Sequence, residues 1–248
     1  MKKSICFLLL LLAPCVLVAQ DAVDEAMYKA YLSGQPAPDT WKSSVATRQE
    51  ALKAKPGDVQ LQYQLALAQF GLLSSTMRGR DEKLFDTYYK DTEELLESII
   101  ERDKKWGEPM ALLSATYGLK MGYSPMQGIF LGSKSSSLVE KAKKLNATSP
   151  LVWKVAANAK FFTPEMWGGD LAEAIEAYET SIKFYDAHPE KLRFNWMYLD
   201  ALAFMGQAYL KNGDSGKAIA AYEKALRQEP DFGWVKQVLL PKAKGTAN

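Results

Sequence analysis

Apolar residues recur at intervals of three and four along most of the chain, which is the spacing of one face of an α-helix. The clearest stretch runs from Leu199 to Pro230, where two such sets are separated by Gly213. Beyond the N-terminal segment, no convincing run alternates apolar and polar residues as a half-buried strand would. The pattern therefore predicts an all-α protein. The two sets are Leu202, Met205, Gly206 and Tyr209, then Ala218, Tyr222 and Ala225.

Four further helical pairs are predicted before this one. The first pair covers Asp24–Leu32 and Asp39–Ala54, with Asp39 placed to cap its second helix. The second pair opens with Val59–Leu73, and a short capping helix is expected at about 232–240, after the last pair. A single helical hairpin cannot bury its apolar face alone, so these pairs should stack on one another.

The last pair resembles a tetratricopeptide repeat, and residues 199–232 carry the best match. In this pattern glycine or alanine stands where helices cross closely, as expected at Gly206, and tyrosine or phenylalanine fills the gap between neighbouring hairpins. The resemblance implies an α-α superhelix, a right-handed solenoid of about five hairpins over residues 20–248, with a concave groove that often binds peptides or proteins. The earlier repeats are degenerate, because the position of Gly206 is taken by Leu67, Ser114 and Ala157.

The middle repeats are longer than the standard unit of about 34 residues. The prolines that close successive units, Pro56, Pro109, Pro150 and Pro189, lie 53, 41 and 39 residues apart. Equivalent turns of a solenoid stack along one edge, so three consecutive inserts should gather on one rim, where insertions often form a binding face. The inserts are predicted at Ser74–Tyr89, Gly122–Lys134 and Phe161–Gly169.

The inserts are rich in aromatic, methionine and arginine side chains, the types enriched at interface hot spots. These side chains could instead fold back and fill gaps left by the degenerate repeats, and both interpretations stay open for any single residue. Asp170, three residues before Glu173, is expected to cap the following helix. The residues predicted to contact a partner are Arg78, Arg80, Tyr88, Tyr123, Met126, Phe130, Phe162, Met166 and Trp167.

The N-terminus is typical of a secretory signal at residues 1–19. Lys2 and Lys3 precede an apolar run of 14 residues, Ile5–Val18, which is shorter than a membrane span and ends in Ala19 at the expected cut. We therefore expect export, with the periplasm as destination. Lipid anchoring through Cys15 stays an alternative, although Pro14 before it and the apolar residues after it favour simple cleavage.

Charge argues against some classes of partner. Removing Lys2 and Lys3 with the signal leaves 29 basic residues, equal to the 29 acidic residues. A nucleic-acid-binding protein usually shows a basic excess or stripe, so no nucleic acid is expected. No later segment approaches membrane-spanning length, so no membrane insertion is expected once the signal is removed.

Catalytic and metal-binding patterns are not found in the sequence. Both cysteines, Cys6 and Cys15, lie within the predicted signal, so the exported chain should have no disulfide and no thiolate. His188 is the one histidine of the chain and stands at a predicted helix end, where a local structural role is expected. We expect no enzyme activity, no cofactor and no metal site.

Two functions fit these patterns. The first is an exported, non-catalytic scaffold that binds a protein or peptide through its concave groove and the rim of inserts. The alternative is a small-molecule-binding accessory protein of a transport system, in which the apolar inserts would enclose a cavity. An apolar rim could also pair with its own copy, so a homo-oligomer stays open.

Overall fold

The computed structural model describes residues 12–34 and 37–245, with side chains from residue 21 onward. Within them the regular secondary structure is helical throughout, which confirms the predicted all-α class. Residues 1–11 of the predicted signal, with Cys6, and the side chain of Cys15 lie outside the described part. The helices are α1 (Leu12–Leu32), α2 (Pro38–Ala54), α3 (Val59–Gly79), α4 (Glu82–Arg102), α5 (Gly107–Tyr123), α6 (Gly128–Leu145), α7 (Pro150–Phe162), α8 (Leu171–Asp186), α9 (Trp196–Lys211), α10 (Ser215–Gln228) and α11 (Leu240–Ala243).

Short polar side chains begin several of these helices by accepting backbone N–H groups that have no partner within the helix. Asp170 accepts the N–H of Glu173 at 2.9 Å, which confirms the predicted cap of α8. The predicted cap of α2 by Asp39 is wrong, because α2 begins one residue earlier, at Pro38. Proline is favoured in the first helical turn, since its φ is already helical and its missing N–H costs nothing there.

Consecutive helices pair as hairpins and the hairpins stack. The pairs are α3–α4, α5–α6, α7–α8 and α9–α10. In addition α3 packs on α5, α5 on α7, and α7 on α9, so the first helices of successive hairpins form one continuous inner row. This is the predicted solenoid, with a core that runs from one repeat into the next.

The small-and-large packing of the last repeat is present. A Cβ atom added to Gly206 would lie 2.2 Å from Cε1 of Tyr222, whose side chain is fully buried between α9 and α10. In the third repeat Ser114 replaces this glycine, and its hydroxyl lies 2.8 Å from the hydroxyl of Ser135 on α6. Each of these hydroxyls also lies within hydrogen-bond distance of the other residue's backbone carbonyl, at 3.0 and 3.2 Å, so the degenerate repeat keeps a close helix crossing and adds buried hydrogen bonds to it.

The inserts differ in form from the loops that the sequence predicts. Most of Ser74–Tyr89 is helical, because α3 continues to Gly79 and α4 begins at Glu82, with only Arg80 and Asp81 between them. Arg80 has a left-handed φ of 51° that ends α3, and Asp81 caps α4 by accepting the N–H of Leu84 at 3.0 Å. The extra residues therefore lengthen both helices instead of forming a loop.

The two ends of the inner row meet. The ring of Trp196, at the start of α9, lies 6.4 Å from that of Phe70 on α3 and 5.6 Å from that of Trp41 on α2. Tyr31 of α1 completes this group, 5.3 Å from Trp196. We call these four residues the aromatic closure, because they join the first repeats directly to the last one.

Helix α1 lies across that junction and not only against its expected hairpin partner, α2. It also contacts α3 and α9. Tyr31 donates its hydroxyl hydrogen to Asp200 of α9 at 2.8 Å, and Tyr28 donates to Glu229 at 3.2 Å. Arg193 donates to Asp21 at 2.9 Å. The N-terminal helix is therefore fixed to the last repeat as well as to the first.

A buried ion pair lies beside the closure. Nζ of Lys154 on α7 is 2.6 Å from Oδ2 of Asp200, and the two side chains are only 3% and 11% exposed. The same Asp200 accepts the Tyr31 hydroxyl. Burial, and next the Asp200 carboxylate, raise the pKa of Tyr31 well above its ordinary value, so the phenol keeps its proton and acts as the donor.

Candidate interaction surface

Two neighbouring turns bring apolar side chains to one edge of the solenoid. Helices α5 and α7 are neighbours in the inner row, and each ends in a short 3-10 turn, Pro125–Gln127 after α5 and Glu165–Trp167 after α7. Because first helices of stacked hairpins run in the same direction, the two turns lie at the same edge. This is where the sequence predicts the second and third inserts.

The first turn leads directly into α6 and places three apolar residues on its outer side. Ser124 accepts the N–H of Gln127 at 2.9 Å, and α6 begins at the next residue. Met126, Ile129 and Phe130 follow helical spacing and share one face, with 79%, 70% and 69% of their surfaces exposed. The apolar residues of α6 that do reach the core begin at Leu131.

The second turn is held by its own backbone. Trp167 and Gly169 both donate their N–H groups to the Pro164 carbonyl, at 2.8 and 3.1 Å. Gly168 has a φ of 94°, and a Cβ on Gly169 would lie 1.8 Å from the Thr163 carbonyl oxygen, so glycine is needed at both positions. The loop is thus ordered without burying its apolar side chains.

Those side chains point outward. Met166 is 83% exposed and Trp167 is 70% exposed, while Phe162 at the end of α7 is 59% exposed and packs edge-on against Phe204, 5.3 Å away. We define the rim as the exposed apolar residues of the two turns. They are Met126, Ile129, Phe130, Phe162, Met166 and Trp167.

Aromatic residues of the first insert, and Tyr123 at the start of the second, fold back instead. Phe85 is fully buried, and the ring of Tyr123 packs on it at 4.7 Å while its hydroxyl donates to Thr76 at 3.0 Å. Tyr123, predicted to contact a partner, therefore helps to hold the long α3–α4 hairpin against α5. Tyr88, also a predicted contact residue, is half-buried against the core.

In the described part of the chain, neither of the two predicted arginines makes an ion pair, a hydrogen bond or a cation–π contact with a rim residue. Arg80 is exposed at the α3–α4 turn. The Arg78 guanidinium lies over two aromatic rings, 5.5 Å from the centre of Tyr31 and 5.2 Å from that of Trp234. Of the nine predicted contact residues, the structure gathers five in the rim: Met126, Phe130, Phe162, Met166 and Trp167.

An aromatic strip on the inner side of the solenoid was missed by sequence reasoning. Phe162 packs on Phe204 of α9, and Phe204 packs on Trp234 at 5.6 Å. Phe204 and Trp234 are each only partly buried. Neither residue stands at a signature position of the repeat. That absence from the signature is the one sequence signal that could have marked them as surface residues.

Among the described residues, no three His, Cys, Asp or Glu side chains are close enough together to hold a metal ion. His188 is half-exposed, with Nδ1 3.3 Å from the neighbouring Glu190 carboxylate. None of the helices in the described part of the chain is long and apolar enough to span a membrane.

Comparison with known proteins places this fold in a class of helical-repeat solenoids. HusA haemophore from Porphyromonas gingivalis has a similar structure, with a TM-score of 0.61 over 77% of this chain and 93% of its own, at 17% identity. The protein TTC0263, a thermophilic TPR protein from Thermus thermophilus, has a TM-score of 0.59 over 89% of this chain and 98% of its own, at 16% identity. At such identities the likeness shows the fold alone.

Sequence comparison agrees with the strongest repeat. Residues 199–232 match the family described as tetratricopeptide repeat, and they are the same stretch that carries the clearest repeat pattern in the sequence. A stretch of 62 residues is 39% identical to the Photosystem I assembly protein Ycf3 of Prochlorococcus marinus, covering 25% of this chain and about a third of that relative's length. Residues 199–232 therefore carry a tetratricopeptide repeat, and the described chain as a whole shares the fold of helical-repeat solenoids.

Proposed function

We propose that this protein is an exported, non-catalytic scaffold that binds a partner protein through the rim. Repeat solenoids of this class present extended surfaces for binding other proteins. The observation that carries the proposal is the concentration of exposed large apolar side chains in two adjacent turns. Of the eight such residues in the described part of the chain, six belong to the rim.

The size of the exposed apolar surface supports a protein interface. Side chains of this kind have about 200 Å² of surface each. With 59–83% of each rim residue exposed, the six together present on the order of 800 Å². The largest apolar patch on a typical monomer is about 300–600 Å², and a standard interface buries about 800 Å² on each partner.

The packing at the concave face favours the rim, and not the groove, as the main contact surface. Helix α1 and the aromatic closure occupy the place where the ends of the inner row meet. The cavity left between them, lined by residues that include Tyr31, Trp41 and Trp196, has a volume of about 20 Å³. That volume holds about one water molecule and is too small for a peptide side chain.

The test is cross-linking of the tagged protein in the envelope of its native cell, followed by identification of captured proteins. A rim variant replaces Met126, Phe130, Met166 and Trp167 together by Ser. The matched control replaces Val238 and Leu145, the two exposed apolar residues outside the rim, by Ser.

A partner captured by the wild type and the control, and lost in the rim variant, supports the proposal. Equal capture by all three chains overturns it. Loss of helicity in the rim variant would show that these side chains belong to the core, which also overturns it. If light scattering shows a dimer that the rim variant alone disrupts, the partner is a second copy of this chain.

Export after cleavage behind Ala19 is part of the same proposal. It is supported by the sequence pattern of residues 1–19, with a basic start, an apolar run and a small residue at the cut. The intact mass of the protein recovered from the envelope shows at which residue the exported chain begins. A chain that begins at Gln20 supports cleavage behind Ala19. A chain that begins at a lipid-modified Cys15 would show instead that the protein is anchored to a membrane.

A further inference from the structure

The aromatic strip continues from the rim to an arginine on the inner side of the solenoid. Phe162, Phe204 and Trp234 contact one another in sequence at 5.3 and 5.6 Å, and Arg78 lies 5.2 Å from the centre of the Trp234 ring. Each member is at least partly accessible to solvent. The strip therefore joins an apolar surface at one end to a positive charge at the other.

Arg78 is held in place but not neutralised. Its guanidinium contacts the rings of Tyr31 and Trp234, two cation–π contacts that fix its position. Within residues 12–34 and 37–245, no acidic side chain forms an ion pair with it. The other two arginines near the chain's junction, Arg48 and Arg193, each pair with an aspartate of α1. A positioned guanidinium without a carboxylate is suited to binding one from a ligand, since its donors match a carboxylate in pairs.

A recess lies beside the guanidinium. The cavity of about 20 Å³ is lined by Arg78 together with Ser74 and Ser75 of the same helix and with Trp196 of the closure. The Ser75 hydroxyl donates to the Leu72 carbonyl at 2.7 Å. Since that bond uses the one hydrogen of the Ser75 hydroxyl, Ser74 is the hydroxyl of this lining that can donate to an anionic oxygen beside the guanidinium, in a space that holds about one water.

We infer that Arg78 and the strip formed by Phe162, Phe204 and Trp234 make a binding site for an aromatic carboxylate. The carboxylate would pair with Arg78 at the recess, and the apolar body would lie along the partly exposed rings, which favour aromatic partners in edge or offset contact. This site is on the inner side of the solenoid. It is separate from the four rim residues whose replacement tests protein binding, so either proposal can fail alone.

The experiment measures binding of three probes to the exported chain, residues 20–248, by fluorescence and calorimetry. Pyrenebutyrate carries both an aromatic body and a carboxylate, pyrenebutanol carries the body alone, and butyrate carries the carboxylate alone. We expect pyrenebutyrate to bind saturably and more tightly than either of the others by about tenfold or more, as for a charge-assisted hydrogen bond.

Arg78→Gln should weaken the binding of pyrenebutyrate by about tenfold and leave the binding of pyrenebutanol unchanged. Unchanged binding of pyrenebutanol would also show that the strip is intact in this variant. Arg80→Gln is the matched control, because Arg80 is exposed two residues away, and it should change neither probe. Equal affinity for pyrenebutyrate and pyrenebutanol, or equal affinity of the wild type and Arg78→Gln for pyrenebutyrate, overturns the site. Absence of saturable binding by any probe overturns it as well.

Discussion

At the scale of single residues, the contact of Gly206 with Tyr222 sets the distance between α9 and α10. We predict that Gly206→Ala lowers the free energy of unfolding by about 1–3 kcal/mol, because the new methyl group would overlap the Tyr222 ring. Gly118→Ala is the control, since no atom lies within 4 Å of the added Cβ and alanine favours helix. Urea unfolding measures both, and an unchanged midpoint for Gly206→Ala contradicts the packing.

The Lys154–Asp200 pair gives a second residue-scale prediction. Lys154→Met should cost about 3–5 kcal/mol of stability, because it leaves a buried carboxylate without its partner. The double variant Lys154→Met with Asp200→Asn should recover much of this loss, since asparagine is neutral and still accepts the Tyr31 hydroxyl. The same unfolding experiment measures this coupling, and purely additive effects would show that the two side chains do not interact.

Buried tyrosines predict how stability depends on pH. Burial raises the pKa of Tyr222 to about 12, whereas tyrosine in an unfolded chain ionises near pH 10. Above about pH 10 the unfolded state therefore binds fewer protons than the folded state, and stability falls as pH rises towards about 12. The slope should reach about 1.4 kcal/mol per pH unit for each such tyrosine.

Unfolding free energies over this alkaline range test the slope. Tyr222→Phe should reduce the slope without loss of stability at neutral pH, because the Tyr222 hydroxyl has no hydrogen-bond partner in the described part of the chain. A wild-type protein whose stability stays level above pH 10 would contradict the prediction.

Residue-level reasoning from sequence succeeded where the position of a side chain depends on residues near it along the chain. The Asp170 cap and the Gly206 crossing depend on residues within one hairpin, and both are present. Exposure in the inserts depends on more distant parts of the chain. The Tyr123 hydroxyl donates to Thr76, 47 residues away, whereas the Trp167 side chain stays 70% exposed. Periodicity alone cannot separate these two cases.

At the scale of elements, α1 is the helix that packs on both the first and the last repeat. Met27 is 5% exposed and packs in the core, so Met27→Ala should cost about 2–5 kcal/mol. Lys29→Ala, on the exposed side of the same helix, should change stability by about 0.5 kcal/mol or less. Thermal unfolding compares the two variants. Similar melting temperatures would mean that α1 contributes little to the folded state.

The helices themselves were predictable in kind, and most of their boundaries followed from caps and prolines. The helical form of the first insert was not predictable, because its extra residues contain no proline before Pro109 and no strong break in the helix except at Arg80 and Asp81. A segment with good helix formers on both sides of one turn becomes two longer helices. The short loop of Phe161–Gly169 was predictable because Pro164 and the glycine pair exclude a continuous helix.

At the scale of the whole molecule, the closure should couple the two ends of the solenoid. An open solenoid unfolds through neighbouring repeats, so damage to the last repeat should leave the first unaffected. Here α1 rests on α9, and we predict that Gly206→Ala lowers hydrogen-exchange protection in α1 together with α9 and α10. Amides of α5 and α6 should keep more of their protection. Exchange in α1 that stays unchanged would contradict the coupling.

No local pattern in the sequence predicts the closure. Its contacts join residues that are far apart, 169 residues for Tyr31 with Asp200 and 201 residues for Tyr28 with Glu229. Repeat signatures specify how one hairpin meets the next, and small rotations summed over several repeats decide whether the ends meet.

The same contacts set an order for folding. Part of the surface that receives α1 is made by residues of the last repeat, which stand 172 and 201 residues after their partners on α1. The middle hairpins can form from local contacts, which are fast, while the closing step must bring together the two ends of a long loop. Until the last repeat has folded, α1 can make only its contacts with α2 and α3, so the N-terminal helix gains its full set of contacts in the closing step.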